Sequence, residues 1–493
     1  MRLIPLLATA AILAATLAGC SAEPPAEEPV VLPTADLPVA FLPDVALPQD
    51  IGAGEPNIAV APDGTLWVTA PVGGSQKPNV REGGAYLWRS TDGGSTWDVL
   101  RQPRLQQAEE SPLPYQGAFC SCDADVVVSP DGWVYYSDWW IAGVAPGNYL
   151  VEASADGGET WTSNSVPIPQ NLVAAMDRQW LVAGEDGFVA IVYSFFGSAC
   201  AFVACAPGVV PAFGLDRPGQ ALEAVISRDH GETWADPVPL VPAQDGSAYQ
   251  VAHPRLRGGE MWMPYGHVPN ADGFWRDPSE VRVAIAGEDG SAAEDVLVAE
   301  VPEGFDNLWA VQGATDPSTG RSFVAWAARM DDDHSLVWMS WSDDLRTWSA
   351  PYAVTREGIH VLPWVDASGG KVLVGWYGTG ATGDPLEVPN SAEWFALAAQ
   401  WNVTADPWLE PPRAATMPVT KVSLEPVKKG PMCPRGAACP SDRELLDYVS
   451  MVYDPEGQLH YAFARSQGSD AFVHVASQDP LAPYGVAGAW PIG

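Results

Sequence analysis

Basic residues are scarce in this sequence. Its 493 residues contain 25 Lys and Arg against 61 Asp and Glu, which gives a formal net charge of −36. A nucleic-acid-binding protein neutralises backbone phosphates with Lys and Arg, so this charge balance argues against a nucleic-acid partner. It also disfavours direct docking on anionic lipid headgroups. The acidity is typical of a protein that stays soluble outside the cell.

Long apolar runs are missing beyond the first twenty residues, so no later stretch qualifies as a transmembrane helix. The sequence also has no Ser-His-Asp motif, no phosphate-binding loop and no metalloprotease helix. No common catalytic motif therefore marks the chain as an enzyme.

Residues 1–19 have the pattern of a lipoprotein signal peptide. Arg2 precedes an apolar run from Leu3 to Leu17, and Cys20 follows it directly. The segment Leu17-Ala18-Gly19-Cys20 resembles a bacterial lipobox, so we expect cleavage before Cys20 and lipidation of its thiol. An ordinary secretory signal with a chance Cys is the alternative. The prediction is an exported protein, anchored by lipid to the bacterial envelope and facing outside the cytoplasm.

Residues 20–50 are predicted to be a Pro-rich tether. Leu-Pro recurs with a five-residue period, at Leu32-Pro33, Leu37-Pro38, Leu42-Pro43 and Leu47-Pro48. Such a density of Pro favours extended polyproline conformation and opposes helix. The alternative is that the distal part docks as an edge strand and helps to close the following domain.

From residue 51 a hairpin unit repeats to residue 493. An apolar strand, a Gly-containing turn and a second strand rich in Val, Trp and Tyr recur at seven turns: Asp63-Gly64, Asp131-Gly132, Asp186-Gly187, Gly258-Gly259, Thr319-Gly320, Gly369-Gly370 and Glu456-Gly457. Short strands repeated in this way predict an all-β propeller with four-stranded antiparallel blades. Seven blades are expected, and six are the alternative.

A second repeat follows several of these hairpins, with the pattern S-x-D-x-G-x-T-W. Three copies are complete, and a fourth has Leu345 where the Gly should be. The Asp and Trp positions assigned to the four copies are Asp92 and Trp97, Asp156 and Trp161, Asp229 and Trp234, and Asp343 and Trp348. The Asp accepts hydrogen bonds from backbone N–H groups ahead of it, the Gly supplies a positive φ, and the Trp packs as the next strand begins. Turn chemistry explains each position without a catalytic role.

The repeat resembles the Asp-box, or BNR, repeat of the sialidase-like β-propellers. In that family the boxes lie at rim turns away from the active site, and catalysis uses three arginines, a Tyr assisted by a Glu, and an Asp. The family's first Arg belongs to an Arg-Ile-Pro motif near the start of the domain. This chain has Gly54-Glu55-Pro56-Asn57-Ile58 there, which removes one of the three arginines.

Propeller topology places the starts of the innermost strands on one face, called the top, and the Asp boxes on the other. Six cysteines map to the top: Cys120, Cys122, Cys200, Cys205, Cys433 and Cys439. In an exported protein we expect them to be oxidised, and local bridges within each close pair are the simplest pairing. A metal site is the alternative, although no Cys and His cluster has zinc spacing.

Polar residues also gather where first strands begin and second strands end. The candidates for ligand binding are Arg178, Arg255, Arg329, His253, Glu55 and Asp125, and the candidates for catalysis are Asp177, Tyr265 and Tyr377. Such side chains point into a propeller's central funnel, a common ligand site. Arg178 and Arg255 are the sharpest pair, because an Arg fork suits bidentate capture of a carboxylate or sulfate. A structural ion pair with an Asp of a neighbouring blade is the alternative.

Three functional hypotheses follow for this chain, which we expect to be a monomer that touches the membrane only through its lipid. The first is a non-catalytic propeller that binds a glycan, an exported protein or an envelope polymer in its top-face funnel. The second is a sialidase-like exo-glycosidase acting on an acidic glycan. The third is a structural or assembly platform in the envelope. No cofactor is indicated with certainty, and calcium in the acidic funnel is left open because carboxylates and carbonyls suit it.

Overall fold

A computed structural model describes residues 39–72, 82–102, 104–105, 118–142, 148–166, 175–196, 220–241, 248–268, 279–291, 293–301, 311–403, 419–434, 439, 441–445, 447–468 and 470–480. All of them belong to the unit Ala35–Gly493. Within these ranges there is no helix with the length and hydropathy of a membrane span.

Short apolar segments separated by Gly, Asp and Pro turns form strands throughout the described chain. The first half contains β1 Val45–Ala46, β2 Asn57–Val60, β3 Leu66–Pro71, β4 Glu82–Gly83, β5 Ala85–Ser90, β6 Asp98–Arg101, β7 Arg104–Leu105, β8 Ala118–Val128, β9 Val134–Ala142, β10 Asn148–Ser154, β11 Thr162–Ser165, β12 Ala175–Ala183, β13 Val189–Phe196, β14 Gln220–Ser227 and β15 Val238–Val241.

The second half contains β16 Ala248–Val251, β17 Arg255–Arg257, β18 Glu260–Val268, β19 Glu280–Gly287, β20 Glu294–Glu300, β21 Val311–Thr315, β22 Ser322–Arg329, β23 Ser335–Ser342, β24 Tyr352–Ala353, β25 Ile359–Ser368, β26 Lys371–Thr379, β27 Glu393–Asn402, β28 Val419–Lys421, β29 Lys428–Lys429, β30 Ser450–Tyr453, β31 Leu459–Gln467 and β32 Asp470–Ser477.

The strands pair as successive four-stranded antiparallel meanders. Blades one to three are β2-β3-β5-β6, β8-β9-β10-β11 and β12-β13-β14-β15. In blade four, β16 and β17 both pair with β18, which is followed by β19 and β20. Blades five and six are β21-β22-β23-β24 and β25-β26-β27-β28, joined by one parallel pairing of Ser335 with Ile359, and blade seven is β30-β31-β32-β1.

The blades close into a ring, because inner strand β30 of blade seven lies beside both β25 of blade six and β2 of blade one. Large side chains fill the space between neighbouring blades; Trp67 and Leu87 of blade one, for example, pack against Val126 and Tyr136 of blade two. The predicted all-β propeller class is confirmed. The total of seven blades stays a prediction for the whole chain, since it is counted here over the described residues.

The turns of the S-x-D-x-G-x-T-W repeat, called Asp-box turns for that sequence pattern, are held by the hydrogen bonds expected from turn chemistry. At the first of them, Asp92 accepts the backbone N–H of Thr96 at 2.9 Å and the Thr96 hydroxyl at 2.7 Å. The second and third turns repeat both bonds, from Thr160 to Asp156 and from Thr233 to Asp229. These bonds lower the pKa of all three carboxyl groups, to about 2 for Asp156.

The assignment of Asp343 to the fourth turn is wrong. Asp344 accepts the N–H groups of Arg346 and Thr347 at 2.8 and 2.6 Å, while Asp343 forms an ion pair with Arg321 at 2.8 Å. The turn is one residue shorter than the other three, which moves the accepting Asp one position along the chain. Leu345 takes the place of the Gly, with a φ of 65°, and Trp348 donates its Nε1–H to the Leu345 carbonyl.

The distal part of the segment assigned to the tether belongs to the propeller. Strand β1 pairs with β32, with Val45 opposite Val475, so it is the outer strand of blade seven. The indole of Trp88 in blade one donates to the Pro48 carbonyl at 2.8 Å. The boundary at residue 50 therefore moves towards residue 39, and the edge-strand alternative is the arrangement found.

One carboxylate fastens this outer strand. Asp44 accepts hydrogen bonds from Arg465 at 3.0 Å and from His474 at 2.7 Å. Burial raises the pKa of Asp44, but the His474 hydrogen bond and the charge of Arg465 outweigh it, so the pKa is lowered from 3.8. The two hydrogen bonds of Asp44 join residues more than 400 positions apart in the sequence, so they help to close the ring of blades.

We predict that Asp44→Asn lowers the free energy of unfolding by about 1–3 kcal/mol at pH 7, because charge-assisted hydrogen bonds are lost. Since the folded pKa of Asp44 is depressed, the stabilisation is present above pH 3.8 and is lost as pH falls through the folded pKa. Chemical denaturation at pH 7 and at successively lower pH measures both effects.

The matched control is Asp98→Asn, which removes an exposed carboxylate 3.8 Å from Arg89 and should change stability by less than about 1 kcal/mol. Equal effects of the two substitutions would contradict a special role for Asp44 in closing the ring.

Candidate functional site

The inner strands carry irregularities where they begin, near the propeller axis. Pairing is interrupted between Asp177 and Trp180 of β12 and between Val361 and Trp364 of β25. Glu55 and Arg178 have φ values of 52° and 56°, in a left-handed region that costs an L-residue roughly 1–2 kcal/mol. Their side chains meet at the axis, so backbone strain is concentrated where the blades converge.

An ion cluster, formed by Glu55, Asp123, Arg178, Arg443 and Asp447, fills the top of the axis. The Arg178 guanidinium lies 3.6 Å from both the Glu55 and Asp123 carboxyl groups and also contacts Asp447. Arg178 is 4% exposed, Glu55 2% and Asp447 0%. Arg178 therefore has the structural ion-pair role considered as the alternative, with acids from three other blades.

Arg443 completes the cluster from the segment that leads into blade seven. Its Nη2 lies 2.6 Å from Asp447 and 3.5 Å from Glu55, and its Nε donates to Asp447 at 3.2 Å. Nη1 has no partner in the described part of the chain, and the side chain is 26% exposed. Arg443 is thus the member of the cluster that best reaches solvent.

Burial and neighbouring charges shift the pKa values of the two central carboxyl groups, those of Glu55 and Asp447, in opposite directions. Burial raises the pKa of Glu55 well above its ordinary 4.5, and the negative charges of Asp447 and Asp123 add to this. For Asp447 the charges of Arg443 and Arg178 overcome burial and lower the pKa. These opposite shifts favour a proton on Glu55 and a carboxylate at Asp447 in the hydrogen bond between them.

A proton on Glu55 would balance the charges of the ion cluster. The carboxylates of Asp123 and Asp447 compensate the guanidinium groups of Arg178 and Arg443. A site without excess positive charge has no electrostatic preference for an acidic ligand.

An aromatic layer underlies the ion cluster. The rings of Trp180, Trp364 and Tyr448 lie 5.2 to 6.3 Å from one another, centroid to centroid, and Arg178 stacks over Tyr448 at 5.5 Å. All three rings are buried. The layer therefore forms a packed floor beneath the charges.

His253 links this floor to a second acid. Its Nε2 lies 3.2 Å from Asp125, and its Nδ1 is contacted by Arg255. Nδ1 also lies 3.1 Å from the Pro254 carbonyl, so the direction is clear only at the other ring nitrogen, where Nε2–H donates to Asp125. Asp125 also accepts from Asn57 and from the Leu181 N–H, so it connects blades one to four.

Arg255 differs from Arg178 in its partners. Its Nε donates to the Gly313 carbonyl at 2.9 Å, and its guanidinium lies 6.0 Å from the Trp364 ring centroid. No carboxylate lies within 4.0 Å of Arg255 among the residues that the structure describes. The two arginines that the sequence grouped together therefore have different roles, one saturated by acids and one held by carbonyls and a ring.

The remaining candidates lie apart from the ion cluster. The Tyr265 hydroxyl donates to Asp295 at 2.7 Å, and the Tyr377 hydroxyl accepts the Ala464 N–H at 2.8 Å. Both tyrosines are fully buried, which corrects their interpretation as accessible nucleophiles. Arg329 lies 4.0 Å from Asp384. Asp177 lies in β12, and its side chain is outside the described residues.

One of the three expected cysteine bridges is present, between Cys433 and Cys439, just before Arg443. Cys120 and Cys122 lie in β8 with side chains outside the described set, and Cys20, Cys200 and Cys205 are also outside it. Within the described ranges, no three His, Cys, Asp or Glu side chains are grouped to hold a metal ion, so nothing there supports calcium.

Sequence reasoning missed Arg443 and the aromatic layer. Arg443 stands four residues before Asp447, a spacing that could have signalled an ion pair after the cysteine pair. Trp180 and Trp364 read as ordinary apolar strand residues, and no local signal shows that their strands meet at the axis.

No family model matches the chain, and no curated protein matches it. Among solved structures, the chain is similar to an α-L-arabinanase of Penicillium chrysogenum complexed with arabinobiose, at 14% identity and a TM-score of 0.46, over 91% of this chain and 99% of that one. A polysaccharide lyase of family PL25, an ulvan lyase, gives 10% identity and 0.49 over 90% and 94%. A Trypanosoma rangeli sialidase gives 12% and 0.40 over 72% and 53%. At such identities and TM-scores, these similarities assign no function to this chain.

We predict that Glu55→Gln stabilises the protein increasingly as pH rises above about 4.5. The raised folded pKa means that native Glu55 holds a proton that the unfolded chain releases, so its contribution is present at low pH and is lost as pH rises through the folded pKa. Gln keeps a donor towards Asp447 and has no proton to lose. The gain should approach about 1.4 kcal/mol for each unit by which the folded pKa exceeds 4.5.

Unfolding free energies of both proteins between pH 4 and pH 9 measure this difference, with the exposed Glu393→Gln as a control. A difference that does not change with pH would show that Glu55 is ionised in the folded protein.

Proposed function

We propose that this protein is an exported, lipid-anchored binding propeller that holds a glycan in its top-face funnel and does not cleave it. The observation that carries the proposal is the ion cluster itself. Buried charges and two left-handed residues make it costly, since well-packed apolar side chains often replace buried ion pairs without loss of stability. Such cost at the axis of a propeller favours a functional role.

The state of the side chains favours binding over catalysis. Asp123, Arg178 and Asp447 are buried and held by internal partners, so none is free to attack a substrate. Arg443 offers Nη1, which has no partner among the described residues, at the exposed edge of the cluster. A polyhydroxylated ligand suits this edge, which has no excess positive charge, and the resemblance of the Asp-box turns to sialidase-like propellers makes a glycan our choice.

One observation favours a second function, exo-glycoside hydrolysis. Glu55, whose pKa is raised, lies beside Asp447, whose pKa is lowered, and glycosidases divide acid and base roles between two carboxyl groups whose pKa values are pushed apart. The experiment must therefore record binding and product release together.

The test incubates the purified protein with neutral, sialylated and uronate-bearing oligosaccharides. Calorimetry records binding, and mass spectrometry records released sugar. We expect binding without release, and we expect Arg443→Ala to weaken it at least ten-fold, since the exposed guanidinium donor is removed. Arg346→Ala, which removes an arginine bonded to Glu260 and Glu294 at an Asp-box turn, should bind like the wild type.

Sugar release by the wild type that Glu55→Gln abolishes would replace the binding proposal with the glycosidase. If Arg443→Ala binds as tightly as the wild type, the funnel is not the binding site.

The lipid anchor is proposed from the sequence, and Cys20→Ser tests it. The wild type should carry a lipid mass at Cys20 and partition into Triton X-114, because an acyl chain buries many methylene groups. The Ser variant should lack the mass and stay in the aqueous phase. Equal partitioning of both proteins would contradict the anchor.

A further inference from the structure

The inner strands form a further level of the axis beneath the aromatic layer. It consists of the residues two positions after Trp180 and Trp364 on their strands, together with those at the same distance from the hairpin turn in the other described blades. At the usual rise of a strand, this lower axial level lies roughly 6–7 Å beyond the rings. Its members are Ala59, Val127, Val182, Arg255, Ala314, Asp366 and Val452.

Charge at the lower axial level comes from Arg255 and Asp366, because its other members are Ala and Val. Both charged side chains are partly exposed although they lie on inner strands, so solvent-sized space reaches them. Their strands belong to blades four and six, on either side of Ala314 in blade five. The two charges attract each other, yet the side chains form no ion pair within the described chain. The level therefore holds a cation and an acid that are close but not in contact.

The guanidinium of Arg255 has one nitrogen without an acceptor. Its Nε donates to the Gly313 carbonyl at 2.9 Å, and its Nη1 lies 3.3 Å from the Pro254 carbonyl and contacts His253. Nη2 has no partner among the described residues, and it does not belong to the unpaired atoms that the surrounding protein seals from solvent. A ligand in the axial space can therefore reach this donor.

The acids near Arg255 compensate its charge only from a distance. Burial lowers the pKa of Arg255, and the charges of Asp366 and Asp125 offset this effect in part. Asp125 already accepts hydrogen bonds from Asn57 and from the Leu181 N–H. A buried guanidinium in this situation gains most from an anion that contacts it directly.

Asp366 is the carboxyl group that an anion on Arg255 would replace as a counter-ion. It accepts the Tyr453 N–H through Oδ2 at 3.0 Å. Burial raises the pKa of Asp366 to about 6 against the charge of Arg255, and the negative charge of Asp316 adds to the increase. The Tyr453 phenol stays neutral, because burial raises its pKa well above the usual value. A proton on Asp366 therefore costs little near neutral pH.

We propose that the lower axial level binds a small monovalent anion, a halide or a short carboxylate, at Nη2 of Arg255 while Asp366 takes a proton from solvent. The exchange leaves the local charge unchanged, because the anion replaces the carboxylate that gains the proton. A divalent anion would add a charge that nothing at this level compensates. The packed aromatic layer separates the site from the funnel, so it is independent of the proposed glycan site.

Chloride NMR line widths of the purified full-length protein, titrated with chloride in a chloride-free buffer and a non-ionic detergent, test the site. At pH 5 we expect saturable broadening with a dissociation constant below about 10 mM. Above about pH 6 the affinity should fall roughly ten-fold for each pH unit, since each anion enters with one proton. Competition by formate and by bromide distinguishes the two kinds of anion, because the preferred one displaces chloride at the lower concentration.

Arg255→Gln should abolish the saturable broadening, because it removes the unpaired guanidinium nitrogen. Arg257→Gln is the matched control, since Arg257 lies on the same strand and its guanidinium is likewise held by carbonyls, those of Gly320 at 2.7 Å and of Asp343. It removes the same charge beside the hairpin turn and should bind like the wild type.

Asp366→Asn tests the coupling to a proton. The Asn side chain keeps an oxygen that can accept the Tyr453 N–H, so the fold is retained, and it cannot ionise. We expect this variant to bind chloride at pH 8 as tightly as the wild type does at pH 5.

Broadening that Arg255→Gln leaves unchanged, or that does not saturate in the wild type at pH 5, would overturn the proposal. A pH dependence that Asp366→Asn retains would overturn it too. If Arg255→Gln does not fold, the comparison of the wild type with Asp366→Asn across pH still decides. No glycan takes part in this assay, so failure of the proposed glycan binding would not change its outcome.

Discussion

Ring closure is the constraint on which this fold depends. A propeller blade has no independent core, so each needs a neighbour on both sides, and the last must meet the first. Here the outer strand of blade seven comes from residues ahead of blade one, and Asp44 ties it to Arg465 and His474. A carboxylate near the start of the domain therefore stabilises packing against strands from its end. The Pro-rich composition of this segment suits an edge strand, where one side of the backbone needs no partner.

The axis is where closure has its highest cost. The inner strands converge there, and their first residues cannot all continue regular pairing without crowding. The interruptions in β12 and β25 and the left-handed residues Glu55 and Arg178 turn side chains inwards. The result is a layer of balanced charges over a layer of indole and phenol rings. The raised pKa of Glu55 fits that balance, since a third carboxylate beside two guanidinium groups would leave a buried charge uncompensated.

The two faces of the propeller differ in how their carboxyl groups are paired. On the top face, arginines form ion pairs with the carboxyl groups of the cluster. Within the described chain, Arg443 is the one cluster member that has both an unpaired nitrogen and substantial exposure. On the other face, turn carboxylates such as that of Asp63 accept a turn hydrogen bond through one oxygen, and the other oxygen has no partner among the described residues. The same residue type is thus structural in one place and available in the other. The role of each carboxylate depends on whether a cationic side chain from another blade lies close enough to pair with it.

Local chemistry was sufficient for the repeated parts of this protein. The Asp-Gly hairpins and the hydrogen bonds from Thr96 to Asp92 depend on residues within a few positions of one another, so their spacing in the sequence predicts them and, through repetition, the propeller. The fourth Asp-box turn shows the limit of that reasoning, because a missing residue shifts the accepting role from Asp343 to Asp344 and only the hydrogen bonds reveal it. The partners of Arg178, the pairing of His253 with Asp125 and the entry of Arg443 were decided by tertiary structure alone. Each joins residues from different blades, and a charge's role depends on which opposite charge the closed ring places within 4 Å, a distance that separation along the chain does not determine.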